Sequence, residues 1–166
     1  MPGGCMKKNQ FVILISVILL MLTIVLPSSA QLTTKKALTL EAAKKLASLA
    51  ESEARKNKWT MVIVIVDDGG NMMYLERMDN TQIGSIEVAL QKAKTAISFK
   101  RPTKSFEERA LAGKNVLLAL PGVVPIEGGL PIVVDGQYLG ALGVSGGASD
   151  QDGAVAKAAL DAFSPK

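Results

Sequence analysis

The 166-residue sequence contains no histidine. That absence removes the imidazole a Ser-His-Asp hydrolase uses as its general base, and with it the commonest side-chain ligand of transition metals. Cysteine is almost as scarce, with Cys5 standing alone, so no intrachain disulfide and no multi-cysteine zinc site can be built. Aromatic residues make up 4% of the chain, too few for the stacking platforms that hold single-stranded nucleic acid. Charge of one sign is lacking as well. The chain has 19 basic and 15 acidic residues, and because Lys7 and Lys8 fall within an acid-free stretch of thirty residues, the remainder balances at 17 to 15. Such a balance offers no basic footprint for DNA or RNA.

One long apolar run is present, Phe11 to Leu26, sixteen residues without a charge. Lys7 and Lys8 precede it, and Pro27, Ser28 and Ala30 follow. This order predicts an export signal cleaved after Ala30 rather than a retained anchor, since sixteen residues fall short of the ~20 that cross a bilayer. Cys5 lies before the run, not after it, which argues against a lipid-anchored lipoprotein. Residues 1–30 are therefore expected to be a signal peptide and residues 31–166 the working domain. That domain would be periplasmic or secreted, without a stable membrane span, and large enough for one core.

Thr39 is expected to cap a helix whose apolar positions Leu40, Ala43, Leu46, Ala47, Ala50 and Ala54 recur at helical spacing, with Asn57 and Lys58 ending it. Met61 to Val66 reads as a strand buried on both faces. Asp67-Asp68-Gly69-Gly70-Asn71 turns the chain, and Met72 to Met78 runs back, with Met73, Leu75 and Arg77 alternating against Met72, Tyr74, Glu76 and Met78. Aspartate in such a turn is expected to bond its own backbone. Ile86 to Phe99 forms a second long helix, which Pro102 ends by forcing Arg101 out of helical geometry. Ser105 is expected to cap a shorter helix to Ala112, and Leu117 to Ile126 to give a helical turn followed by a short strand or extended segment. Asp135-Gly136 between two apolar runs predicts a type I′ hairpin. Gly146 and Gly147 then break the strand, and Ser149 or Asp150 is expected to cap a closing helix. The order predicts an α+β fold, an antiparallel sheet of about five strands with helices packed on it.

Gly143-Val144-Ser145-Gly146-Gly147 matches the G-x-S-x-G nucleophile motif, yet without histidine Ser145 has no imidazole to accept its proton. The same glycines do not make a phosphate loop, because Asp150 and Asp152 in the following first turn would repel the anion and no lysine follows. Glu76, Asp79, Asp150 and Asp152 fall in no recognised metal-ligand spacing. Gly140 and Gly143 within a strand mark a place where either a ligand or another part of the chain comes close to the backbone. Arg77, Lys100 and Arg101 could supply cations to an acidic ligand.

Three blocks together resemble one family: VIVDDGGNMMYLERMD (Val64 to Asp79), SIEVALQKAKTAISFKRPT (Ser85 to Thr103) and EGGLPIVVDGQYLGALGVSGGASDQD (Glu127 to Asp152). They are similar to the haem-binding GlcG-like and HbpS-like proteins, whose domain is also found appended to some corrinoid adenosyltransferases. The resemblance implies a profilin-like fold, homo-oligomers, and, for some members, extracytoplasmic haem binding or degradation. Some members carry histidine where this chain has Asn71. Candidate axial groups are therefore Tyr74, Met72, Met73, Met78 and Tyr138, with Arg77, Lys100 and Arg101 pairing the propionates and Gly140 and Gly143 admitting the ligand. The expected function is capture of haem or a related tetrapyrrole by an exported oligomer. The alternative is an enzyme or accessory factor acting on a small organic acid.

Overall fold

The computed structural model describes residues 31–164 together with residues 8–10, 12, 13 and 16; the cleavage point expected after Ala30 and most of the expected leader lie outside the described residues. Among the described residues, no helix is long and apolar enough to cross a membrane. Helix α1 spans Leu40–Lys56, begun by Thr39, whose hydroxyl oxygen accepts the Ala42 N–H at 3.1 Å. Asn57 closes it by donating its side-chain amide to the Glu53 carbonyl at 2.8 Å. Ala43, Leu46, Ala47, Ala50 and Ala54 form the buried stripe, while Leu40 stays half exposed.

Strand β1, Val62–Asp67, occupies the middle of the molecule because both its faces are apolar. Ile63 and Ile65 join one core with α1, and Val62, Val64 and Val66 join a second core on the opposite face. Strand β2 (Met72–Arg77) pairs with it antiparallel. The Asp67 carboxylate accepts the Gly69 and Asn71 N–H groups at 2.9 and 2.8 Å, the backbone role expected of it. Strands β3 (Gly129–Val134) and β4 (Gln137–Ser145) form the second hairpin. Its turn residues Asp135 and Gly136 have φ of 49° and 75°, the double positive φ that a type I′ turn demands. Strand order is β2-β1-β4-β3, antiparallel throughout.

Helix α2 (Ser85–Phe99) lies on the face of Val62, Val64 and Val66, through Ala89, Ala93, Ala96 and Ile97. Helices α1 and α4 (Ser149–Ala162) cover the other face. A short helix α3 (Lys104–Leu111) and a 3-10 turn (Asn115–Ala119) complete the connection between α2 and β3.

The sheet has four strands where about five were expected. The segment allowed as a fifth strand ties itself to α2 instead: the Thr95 hydroxyl donates to the Gly122 carbonyl and accepts the Val124 N–H, both at 3.0 Å. Two expected caps also differ. Ser105 lies inside α3 and donates to the Pro102 carbonyl at 2.8 Å, whereas Thr103 precedes the helix. Ala148 precedes α4, and Gln151 rather than Ser149 or Asp150 reaches back, accepting the Ala148 N–H at 3.0 Å.

Each hairpin carries a β-bulge close to its turn. Ile65 faces Tyr74 and Val66 faces Met72, leaving Met73 unopposed; Ile132 faces Gly140 and Val133 faces Tyr138, leaving Leu139 unopposed. The alternation expected for β2 therefore breaks at Met73, which packs on the α1 side beside Tyr74. A bulge changes which face the side chains on its two sides present, and Tyr138, on the turn side of Leu139, consequently packs with the α2 core.

Candidate functional site

The end of α2 gathers two of the six residues nominated from the sequence. Lys100 terminates the helix in the left-handed region, φ 51° and ψ 42°, a conformation uncommon for any residue but glycine. Its N–H donates to the Ile97 carbonyl, and the Arg101 N–H reaches the Ala96 carbonyl at 3.1 Å, which closes the helix tightly. The Lys100 ammonium consequently stands over the Tyr138 ring, 5.3 Å from its centroid, while the Tyr138 hydroxyl donates to the Lys100 carbonyl at 3.3 Å. The Arg101 guanidinium stands 5.6 Å from the centroid of Phe106, whose ring meets Phe99 edge-on. Two exposed cations are thus oriented by aromatic faces, within the ~6 Å reach of cation–π attraction.

The other nominated residues lie elsewhere. Tyr74 belongs to the α1 side of the sheet, and its hydroxyl donates to Glu76 at 3.2 Å. Burial, and then the negative charge of Glu76, hold its phenol above the ordinary tyrosine range. Arg77 pairs with Val62 at the end of the sheet away from both hairpin turns. The two glycines are closed off by the chain's own backbone: a Cβ on Gly140 would lie 2.1 Å from the Val66 carbonyl oxygen, and one on Gly143 2.0 Å from that of Ala89. Of the two readings open for these glycines, close packing of the same chain occupies that space.

Of the candidate iron ligands, Met78 is buried in the core and Met73 packs against it. Met72 is 56% exposed and, opposite Val66, shares the α2 side of the sheet with Tyr138. The turn before Met72 leans on the final turns of α2, since a Cβ on Gly70 would meet Ile97 and Lys94 at 3.9 Å. Met72, Tyr138, Lys100 and Arg101 therefore belong to one end of one face.

Sequence reasoning missed a buried pair. Lys92 donates from its ammonium to Asp152 at 2.6 Å and to the Val144 carbonyl at 3.2 Å. Asp152 also accepts the Gly147 N–H at 3.0 Å, so its carboxylate is turned inward instead of complementing an exposed helix end. Burial raises the Asp152 carboxyl above the ordinary aspartate range, against the pull of Lys92. The available signal was positional: Lys92 falls three residues after Ala89 and four before Ala96, on the apolar stripe itself.

Residues 38–161 match the family described as haem degrading protein HbpS-like. Protein GlcG of Escherichia coli strain K12 is 40% identical over 112 residues, covering 68% of this chain and 84% of that protein. A solved complex of PduOC with haem is 31% identical with a TM-score of 0.70, covering 76% of this chain and 94% of its own. A double mutant of Streptomyces reticuli HbpS is 30% identical with a TM-score of 0.74, covering 85% and 97%. With the family pattern running from before α1 to the last turn of α4 and including both hairpins, this chain belongs to the HbpS-like family.

Proposed function

We propose that the protein binds haem or a related tetrapyrrole at the turn end of the α2 face, as an exported homo-oligomer. The observation that carries this reading is the oriented pair Lys100 and Arg101 in a chain whose 31%-identical relative PduOC is solved with haem. Two neighbouring cations suit two propionates, and the exposed Met72 on the same face suits a flat apolar macrocycle. Haem supplies an iron centre that accepts thioether or phenolate ligands. Met72 is the better candidate, because it is exposed while the Tyr74 phenol resists ionisation.

The strain at Lys100 supports a role for its side chain. A left-handed non-glycine residue costs about 1–2 kcal/mol, and glycine at this position would avoid it. Export is supported by the leader pattern of residues 1–30, and Edman sequencing of the secreted protein should begin at Gln31. Assembly is supported by an apolar surface on the α2–β3 connection, where Leu111, Val116, Leu118 and Leu120 are 82, 79, 56 and 42% exposed.

Haemin titration of the purified chain tests the proposal. A saturable Soret change is expected, weakened about tenfold by Lys100→Gly or Arg101→Ala, the scale of one lost charge-assisted bond, and altered in spectrum by Met72→Ala. Lys100→Gly should at the same time raise the melting temperature. A wild-type chain with no saturable Soret response ends the haem reading.

A further inference from the structure

The opposite face of the same hairpin holds a cleft of about 810 Å³, between the start of α1, the β3–β4 turn and the segment after α4. Ligand pockets generally span roughly 300–1,000 Å³. Its apolar wall is formed by Ala37, Leu38, Ala42, Val134, Leu139 and Phe163. Leu139 is the unopposed residue of the β4 bulge, so the irregularity that sends Tyr138 to the α2 side leaves Leu139 on this one. The cleft and the cationic corner are therefore separate places on the two faces of one hairpin.

A strap completes the cleft. The Lys36 N–H donates to the Gln137 side chain at 3.0 Å, and the Lys36 ammonium pairs with Asp135. Lys35 pairs with Asp68 in the other hairpin turn. Consecutive lysines thus fasten residues 35–38 to both turns and hold Leu38 against the cleft.

Its rim is charged but balanced. Lys36 is satisfied by Asp135, which leaves Lys45 and Glu41. The Lys45 ammonium donates to the Ser164 carbonyl at 3.3 Å, an uncharged partner that a carboxylate would outcompete. Among the described residues Lys45 has no carboxylate partner, and one such lysine beside one glutamate accommodates a single carboxylate and disfavours two. We infer that this cleft binds a small apolar monocarboxylic acid, its hydrocarbon against Leu139 and Phe163 and its carboxylate at Lys45. The site is independent of the haem reading, since haem carries two propionates.

Decanoate, kept below the concentration at which it forms micelles, is the probe. With the purified full chain it should raise the melting temperature saturably, and decan-1-ol, which lacks the charge, should bind about fivefold more weakly. Lys45→Gln should weaken decanoate about fivefold and leave decan-1-ol unchanged. Ala42→Phe, grown into the cleft from the helix, and Leu139→Phe, from the strand, should each abolish binding, so a folding failure in one leaves the other informative. The haemin Soret titration should persist in whichever variant folds. The inference is overturned if decanoate gives no saturable shift, if decan-1-ol binds equally, if the filled variants retain binding, or if haemin displaces decanoate. Loss of the Soret response with decanoate binding intact sinks the haem reading alone.

Discussion

The Lys92 ammonium and the Asp152 carboxylate meet at 2.6 Å with only 1% and 3% of their side chains exposed, joining α2 to the first turn of α4 beneath the end of β4. Removing one partner strands the other charge out of water, which costs about 3–5 kcal/mol. Asp152→Ala should therefore lose stability on that scale in urea unfolding, with the Gly147 N–H losing its acceptor as well. The double variant Lys92→Met with Asp152→Leu should recover most of the loss, because no buried charge remains. Equal losses in the single and double variants would show that the ionic pairing is not what matters here.

Burial, and next the Glu51 carboxylate, push the Glu76 carboxyl above the ordinary glutamate range, against the Tyr74 hydroxyl and the Arg55 cation. A carboxyl raised on folding makes the folded state hold the extra proton. Its stabilising contribution is complete below the unfolded value of about 4.3 and disappears as pH rises through the higher folded value. Glu76→Gln keeps an acceptor for Tyr74 but cannot ionise. Thermal melts should find the variant more stable than wild type at pH 7 and indistinguishable from it near pH 4. A difference independent of pH would count against this assignment.

Two glycines should respond in opposite senses. Gly143→Ala drives a methyl group to 2.0 Å from the Ala89 carbonyl and 2.8 Å from the Ala93 nitrogen, so α2 must lift from the sheet. A loss of about 3 kcal/mol or more is expected, the upper range for overpacking against immovable backbone. Gly84 has no neighbour within 4 Å of a Cβ and a helical φ of −59°. There Gly84→Ala should add about 0.4–1 kcal/mol by restricting the unfolded chain. Denaturant midpoints of the two variants decide both points.

Assembly through the α2–β3 connection is tested by charge. Leu118→Glu and Val116→Glu alter residues that are 56 and 79% exposed, so the fold of each chain should survive. Light scattering after size-exclusion chromatography should find wild type larger than one chain and both variants reduced. Unchanged assembly in both variants would move the interface elsewhere.

The large elements were legible because their signals are local. Thr39 before an alanine-rich stripe, the apolar run of β1 and Asp135-Gly136 each state their structure within a few residues. What escaped depends on partners distant in sequence. Thr95 claims the Gly122–Val124 segment from another element, and Asp152 turns inward because Lys92 waits sixty positions earlier. The bulges at Met73 and Leu139 have no local signature either, since both residues suit regular strands. The candidate site was legible in part. Lys100 and Arg101 come together because Pro102 ends their helix, but their aromatic supports and the dispersal of Tyr74 and Arg77 required the sheet register.

The extra residue at Leu139 makes hairpin length a determinant of surface chemistry. Inserting one residue between Ile132 and Val133, opposite Leu139, would restore strict alternation and exchange the outlooks of neighbouring side chains, turning the Tyr138 ring toward the strap and Leu139 toward the cations. A single-codon insertion could thereby rewrite both surfaces at once without altering any of the groups that compose them. Loops transplanted between members of this family would need to match in residue parity as well as in sequence.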